Sequence, residues 1–347
     1  MNNMINAIKQ TCKTESPCGN ESEAIEYIKN ELEKINVKSV SDGMNNIIIK
    51  NSVPDERPQV LLAAHTDEPC FIVTQISENG YLKFDMIGDT DSRSILSKRV
   101  VCGNVKGVIS ARAIHLLSKE EREREVNAND LFIDIGAENA DLAKKFVSPG
   151  DCFVFDTDLI KLGNGTVSCF GISDKISYLV LLDIIRYFRN NNNNNAGPDA
   201  VFTVQRHMYN RGMKCAITSS FTDLPIGLSV VIDCIDIQQI DKKVNALNDE
   251  TVYLAVDKIM FGYTSKITDK IKRIAENMNV NLEILTDNGK SDANAFITQN
   301  SDVPTVTLMT GCLNKNTAYP IININGVQKL KDLIIRITED IFNNGID

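Results

Sequence analysis

In Val60-Leu61-Leu62-Ala63-Ala64-His65-Thr66-Asp67-Glu68 five apolar residues run without interruption into four polar ones. An apolar run of that length with neither helical nor alternating period is the mark of a strand covered on both faces. Such strands belong to α/β folds whose sheet is sandwiched by helices. The strand delivers His65, Asp67 and Glu68 at its C-terminal end, where ligand sites of open α/β sheets gather.

On the N-terminal side lie a short strand at Asn46 to Lys50, a turn through Pro54 and Pro58, and an amphipathic helix carrying Ile25, Ile28, Leu32 and Ile35. On the other side, from Cys70 to Asp158, the texture changes to short alternating strands such as Tyr81 to Phe84 and Val105 to Ile109, broken by Gly and Asp turns and by the charged run Lys119 to Glu125. Helical period returns at Ser173, with Ile176, Leu179, Val180, Ile184, Ile185 and Phe188 on one face, and stops in the solvated tract Asn190 to Asn195. Strands at Ala200 to Val204, Leu228 to Ile232 and Thr305 to Met309 follow, with helices at Ser265 to Met278 and Val327 to Phe342. The pattern predicts an α/β fold in which residues 1–69 and 159–347 form one helix-flanked domain and residues 70–158 an inserted β-rich domain.

The 37 Lys and Arg against 46 Asp and Glu give a formal charge of −9 with no basic stripe, which excludes the electrostatic footprint of a nucleic-acid binder. No window holds the roughly 18–20 apolar residues of a membrane span, and the polar N-terminus carries no leader-like run, so the expected location is cytoplasmic. Nine Cys without a Cys-x-x-Cys pair read as reduced thiols filling small core positions.

Three groups sit where strands hand over to loops or helices: His65, Asp174 and Asp233. Each has an ordinary alternative. His65 alone suits an interior hydrogen-bonded imidazole, Asp174 a first-turn charge facing a helix dipole, and Asp233 a strand-end turn. His115, in the apolar run Ala113-Ile114-His115-Leu116-Leu117, reads as a structural imidazole.

Taken together the motifs resemble metallopeptidase family 42, the self-assembling TET-type glutamyl or deblocking aminopeptidases, some of them labelled endoglucanase-like. His65-Thr66-Asp67-Glu68 resembles that family's His-x-Asp-Glu segment, and Leu131-Phe132-Ile133-Asp134-Ile135-Gly136-Ala137 its insertion-domain motif. Ser173-Asp174-Lys175 stands where the family has Asp-Asp-Arg or Asp-Asn-Arg. Phe202 to Gln205 with Arg211-Gly212, and Gly289-Lys290-Ser291-Asp292-Ala293 in place of Gly-Gly-Thr-Asp-Ala, extend the likeness over nearly the whole chain. The resemblance implies a zinc-peptidase-like fold and a homo-oligomer acting on peptides. It also implies two divalent metals bridged by Asp174, with His65 and Asp233 completing the first metal position and Asp67 fixing the His65 tautomer. Asp292 would meet the substrate's amino end.

The other half of the site departs from the pattern. Gln205-Arg206-His207 replaces Gln-Glu-Glu, so Arg206 stands in the place of the general base and His207 is the one residue there still able to ligate a second metal. A guanidinium stays protonated and offers no lone pair, so it cannot take a proton from water. Gly311 to Thr317 carries no counterpart of the family's last His ligand, and the chain has only three His, at 65, 115 and 207. Arg206 is expected either to fill the missing metal's place beside Asp174 or, after a one-residue shift of its strand, to point to solvent.

The expectation is therefore at most one zinc or cobalt ion per chain and a weak or inactive peptidase serving as a peptide-binding or scaffolding protein. The competing reading is an active metal-dependent aminopeptidase. Polysaccharide cleavage is disfavoured, because sugar grooves are usually lined by aromatics and this chain has no Trp and 6% aromatic residues.

Overall fold

The structure, a computed structural model, describes residues 2–51, 59–113, 115, 118–123, 127–191, 197–221, 226–240, 250–257, 265–287, 291–299 and 303–346. The strand Gln59–His65 lies at the centre of an eleven-stranded sheet and is buried at every position. It runs parallel between Asp199–Thr203 and Ile226–Asp236, and the latter is parallel to Thr305–Leu313. Antiparallel strands close the flanks, Ile47–Ile49 on one side and Ile321–Asn323 then Thr166–Ser168 on the other, while Val252–Asp257 and Leu282–Asp287 branch from Thr305–Leu313.

The unbroken apolar run is explained by two cores. Val60, Leu62 and Ala64 enter one core with the helices Ile172–Asn191 and Ile324–Asn344. Leu61 and Ala63 enter the other, with Met213, Ala216 and Ile217 of the helix Arg211–Ser220 and with Ala293 and Ala295 of the helix Asp292–Gln299. Alternate side chains thus point to opposite faces, and both faces are apolar because both are covered.

Six short strands between Cys70 and Phe155 close into a barrel of their own, in the order Cys70–Ile76, Leu82–Ile87, Leu131–Asp134, Val105–Ala111, Arg99–Cys102, Cys152–Phe155. Its core is aromatic: Phe71 packs edge-on against Phe84 and Phe155, and Phe155 against Phe170, at centroid distances of 4.9–5.3 Å. Every strand has a neighbour on both sides, although Leu82–Ile87 and Leu131–Asp134 meet at one residue pair, Leu82 with Ile133; closure of this kind limits the exposed edge that would template aggregation.

Several elements differ from the sequence reading. The helix Asn2–Thr11 was not anticipated; Met4 and Ile8, one turn apart, dock it on the main core. The run from Lys119 is a short helix to Glu123. His115 is exposed. Pro54, Pro58, Asn192 to Asn195, Gly289, Ile114, Leu116 and Leu117 lie outside the described residues. All nine Cys are free thiols.

Candidate active site

His65 ends its strand and pairs in register with Thr203 of the neighbouring strand; Asp233 follows Ile232, which pairs with Ala64. The helix Ile172–Asn191 begins above the same edge and brings Asp174 in its first turn, where the helix dipole favours an anion. Topology alone therefore converges His65, Asp174 and Asp233: the Nε2 of His65 is 3.9 Å from Asp174 Oδ1 and 3.8 Å from Asp233 Oδ1.

The turn after Thr203 supplies the rest. The strand stops there, and Gln205, Tyr209 and Asn210 take left-handed backbone conformations, so the alternation of strand side chains no longer applies. Both oxygens of Asp67 accept main-chain hydrogen bonds, from Arg206 N–H and His207 N–H, each at 2.9 Å. Pinned in this way, Arg206 and His207 both face the cleft. The solvent-pointing alternative for Arg206 does not occur, since the side chain is 13% exposed.

Two expected contacts are corrected. Arg206 pairs with Asp233, Nη2 donating to Oδ2 at 3.0 Å, whereas Asp174 Oδ1 meets His207 Nε2 at 3.2 Å. Asp67 was expected to hold the His65 tautomer through its carboxylate. Its oxygens are occupied by the two amides, and it is the Asp67 backbone carbonyl that lies 3.1 Å from His65 Nδ1, against 3.6 Å for the carboxylate.

Lys315 completes the Asp233 cluster, its Nζ donating to Asp233 Oδ1 at 3.3 Å and to the Cys234 carbonyl. Burial opposes ionisation of the Asp233 carboxyl, yet Lys315 and Arg206 outweigh it and hold the group well below the usual carboxylate range. Asp174 is likewise kept low against burial, by His207, His65 and Lys315. For His65 burial disfavours the cation, but the carboxylates of Asp233 and Asp67 lift the imidazole to about 10.

The sequence of the whole chain is informative at this point, for the profile of the M42 glutamyl aminopeptidase family matches residues 45–333. The chain belongs to the M42 peptidase family. It is similar to the putative aminopeptidase FrvX of Escherichia coli, 26% identical over 192 residues, an alignment covering 54% of this chain and 53% of FrvX. The chain thus spans about half the length of that relative. Its fold matches the TET aminopeptidase of the archaeon Thaumarchaeota SCGC AB-539-E09 with a TM-score of 0.89 at 23% identity, over 99% of each chain. It also matches the TET1 peptidase of Pyrococcus horikoshii, which assembles into a tetrahedron or a large octahedral shell, with a TM-score of 0.83 at 24% identity over 96% of this chain and 99% of that one.

Within this M42 frame the cleft above the site measures about 630 Å³. Asp174, Arg206, His207, Asp233 and Lys315 line its polar part; Ile235, Ile240, Ala255, Leu285 and Met309, members of one apolar cluster, line another. Asp292 is 2% exposed, accepts a hydrogen bond from Thr203 at 2.5 Å, and stands behind Ser291, which does line the cleft. Burial raises its carboxyl above the ordinary value.

M42 peptidases are metal-dependent, and the residues present fit an ion. The buried His65 Nε2 has no hydrogen-bond partner, and its ligand atom lies with those of Asp174 and His207 inside a mutual distance of 4.8 Å. Two imidazoles and a carboxylate suit borderline divalent ions.

Sequence reasoning missed one ion pair at this edge. Glu68 and Lys175, 0% and 3% exposed, pair at 3.0 Å; Glu68 Oε1 also accepts Ser16 N–H, and Lys175 Nζ donates to the Thr14 carbonyl. Gly171, at φ +66°, makes room for it, because a Cβ there would fall 2.0 Å from Glu68 Oε2. A signal was present: a Lys in the first turn of a helix opposes the dipole, and only a buried anion nearby compensates that.

Proposed function

We propose that this M42 protein binds peptides in the cleft but hydrolyses them weakly or not at all, and that it holds at most one zinc or cobalt ion per chain. The observation that carries this reading is the Arg206 guanidinium bound to Asp233 at the position of the family's general base. Burial opposes its charge, but Asp233 and Asp174 more than compensate and hold Arg206 protonated. It can orient a carbonyl or carboxylate by donating hydrogen bonds, and it cannot accept a proton. Asp67 is no substitute, since both its oxygens accept amide hydrogen bonds and His65 and His207 keep its carboxyl ionised despite burial.

Bound peptide would place an apolar side chain against Met309, Leu285 and Ile240 and polar backbone against Arg206 and Lys315. When an ion is bound it supplies charge to polarise a carbonyl or lower the pKa of a water. The chain's residues orient the ligand and exclude solvent, and neither Arg206 nor Asp67 is placed to remove the water's proton. The subunits are proposed to assemble as homo-oligomers, as the TET1 peptidase does.

The competing reading, an active aminopeptidase, is favoured by the retained donors of His65, Asp174 and His207. Turnover of aminoacyl p-nitroanilides with added zinc, cobalt or manganese decides between the two. Loss of a positioned base costs roughly 10² to 10⁴-fold, so rates near background are expected, and robust metal-dependent turnover would overturn the proposal. Arg206→Glu with His207→Glu should restore little. A third change introducing His at Lys315 is needed for the second metal position.

A further inference from the structure

We infer that His65, Asp174 and His207 form a recombined single-ion site, in which an imidazole from the altered half of the cleft replaces Asp233 as a ligand.

Three observations carry this. First, the three ligand atoms already converge, with His207 Nε2 at 3.2 Å and His65 Nε2 at 3.9 Å from Asp174 Oδ1, and the rings are nearly perpendicular at a centroid distance of 5.7 Å. Ligand atoms about 2.0–2.2 Å from a common ion lie about 3–3.6 Å apart, so only a small closure is required. Second, Asp233 is engaged elsewhere. Arg206 takes its Oδ2 and Lys315 its Oδ1, and a carboxylate neutralised by two fixed cations is a poor ligand for a third positive charge. Third, His65 Nε2 is unpartnered at 2% exposure, and a buried polar atom without a partner is costly unless a ligand engages it.

The surroundings aim the two imidazoles. The Asp67 carbonyl accepts from His65 Nδ1, so Nε2 is the nitrogen that would give up its proton to take the ion. The His207 ring is held from the barrel side by Gly88, at φ +87°, where a Cβ would stand 3.0 Å from Nδ1. A different buried trio, Cys18, Glu21 and Asp67, is also compact. There Glu21 Oε1 accepts from Gly19 and Gln205 N–H and Asp67 is spent on two amides, so those carboxylates are already satisfied.

The test is cobalt(II) binding to the full chain, followed by calorimetric stoichiometry and by the visible absorption of the bound ion, with no substrate and no turnover measured. One ion per chain is expected. His65→Ala and His207→Ala should each weaken binding by about a hundredfold or more and abolish the absorption bands, since loss of even an outer partner of a ligand costs about 10–100-fold. Retention of the ion in His207→Ala would place it on Asp233 and overturn the inference, and so would two ions or none in the unaltered chain. Circular dichroism checks the fold of the variants; if His207→Ala does not fold, His207→Gln, which keeps a polar side chain of similar size, is measured under the same criteria. A peptidase-active protein with one ion lost in His207→Ala would leave this inference standing while ending the proposed function above.

Discussion

Two groups of buried charge lie within one turn of each other along the Asp174 helix start, and they are built differently. Glu68 and Lys175 are clamped between main-chain groups of residues 14 and 16, away from the cleft. Asp233, Arg206 and Lys315 border the cleft, and the neighbouring His65 Nε2 and Arg206 Nε are left without partners. The first arrangement ties the N-terminal segment to the helix, with Lys175 Nζ at 3.0 Å as the ion-pair partner of Glu68 Oε2. The second keeps donors unspent beside a cavity, which is the mark of a surface shaped to meet something else. Charge inside one protein thus serves architecture in one place and recognition in another, and the bordering cleft tells the two apart.

The contrast is open to direct attack. Lys175→Met strands the Glu68 carboxylate in the core and should cost about 3–5 kcal/mol in urea unfolding, while adding Glu68→Leu to it recovers most of that; a loss under about 1 kcal/mol would show that the pair is not architectural. A third buried acid sharpens the comparison because it has no cation at hydrogen-bonding distance. Asp199, 1% exposed, accepts Asn51 N–H at 2.7 Å, and burial lifts its carboxyl from 3.8 to about 6. The unfolded chain therefore ionises first. The stability linked to this acid is complete below pH 3.8, declines as pH rises toward about 6 and stays lost above it. By that linkage Asp199→Asn should gain on the parent by about 2–3 kcal/mol between pH 4 and pH 7; parallel stability curves would refute the shift. Arg206→Ala leaves Asp233 its Lys315 and admits cleft water, so a cost of only about 1–2 kcal/mol is expected, and a value equal to that of Lys175→Met would erase the distinction. Smallest should be Thr203→Val, which removes the hydrogen bond to Asp292 for about 1 kcal/mol, read as a shift in the urea midpoint at unchanged slope.

The main sheet was legible because its strands are covered twice and so carry unbroken apolar runs, as Val60 to Ala64 do. Val252–Asp257 and Leu282–Asp287 escaped notice; Glu283 breaks the apolar pattern of the second, but Val252 to Val256 is an unbroken apolar run that the same rule would have found. The helix Asn2–Thr11 is short, and its apolar residues are outnumbered by polar ones. At the site, the strand-end position of His65 and the helix-start position of Asp174 followed from sequence order, whereas Asp233, expected just past its strand, lies within Ile226–Asp236. The partners of Arg206 did not follow, because they depend on a turn whose left-handed residues are Gln, Tyr and Asn rather than glycine. Pairing in a cleft is decided by a few degrees of backbone rotation, and residue type carries little trace of that.

The tethering of Arg206 and Lys315 to the chain has a consequence for how the cleft responds to its medium. A diffusible ion stabilises a folded protein in proportion to its supply, by mass action, and a chelator removes the benefit. Guanidinium and ammonium groups joined to the backbone obey no such law; their occupancy is complete at any metal concentration. The neutralisation of Asp233 should therefore be indifferent to metal starvation and to changes of metal in the surroundings.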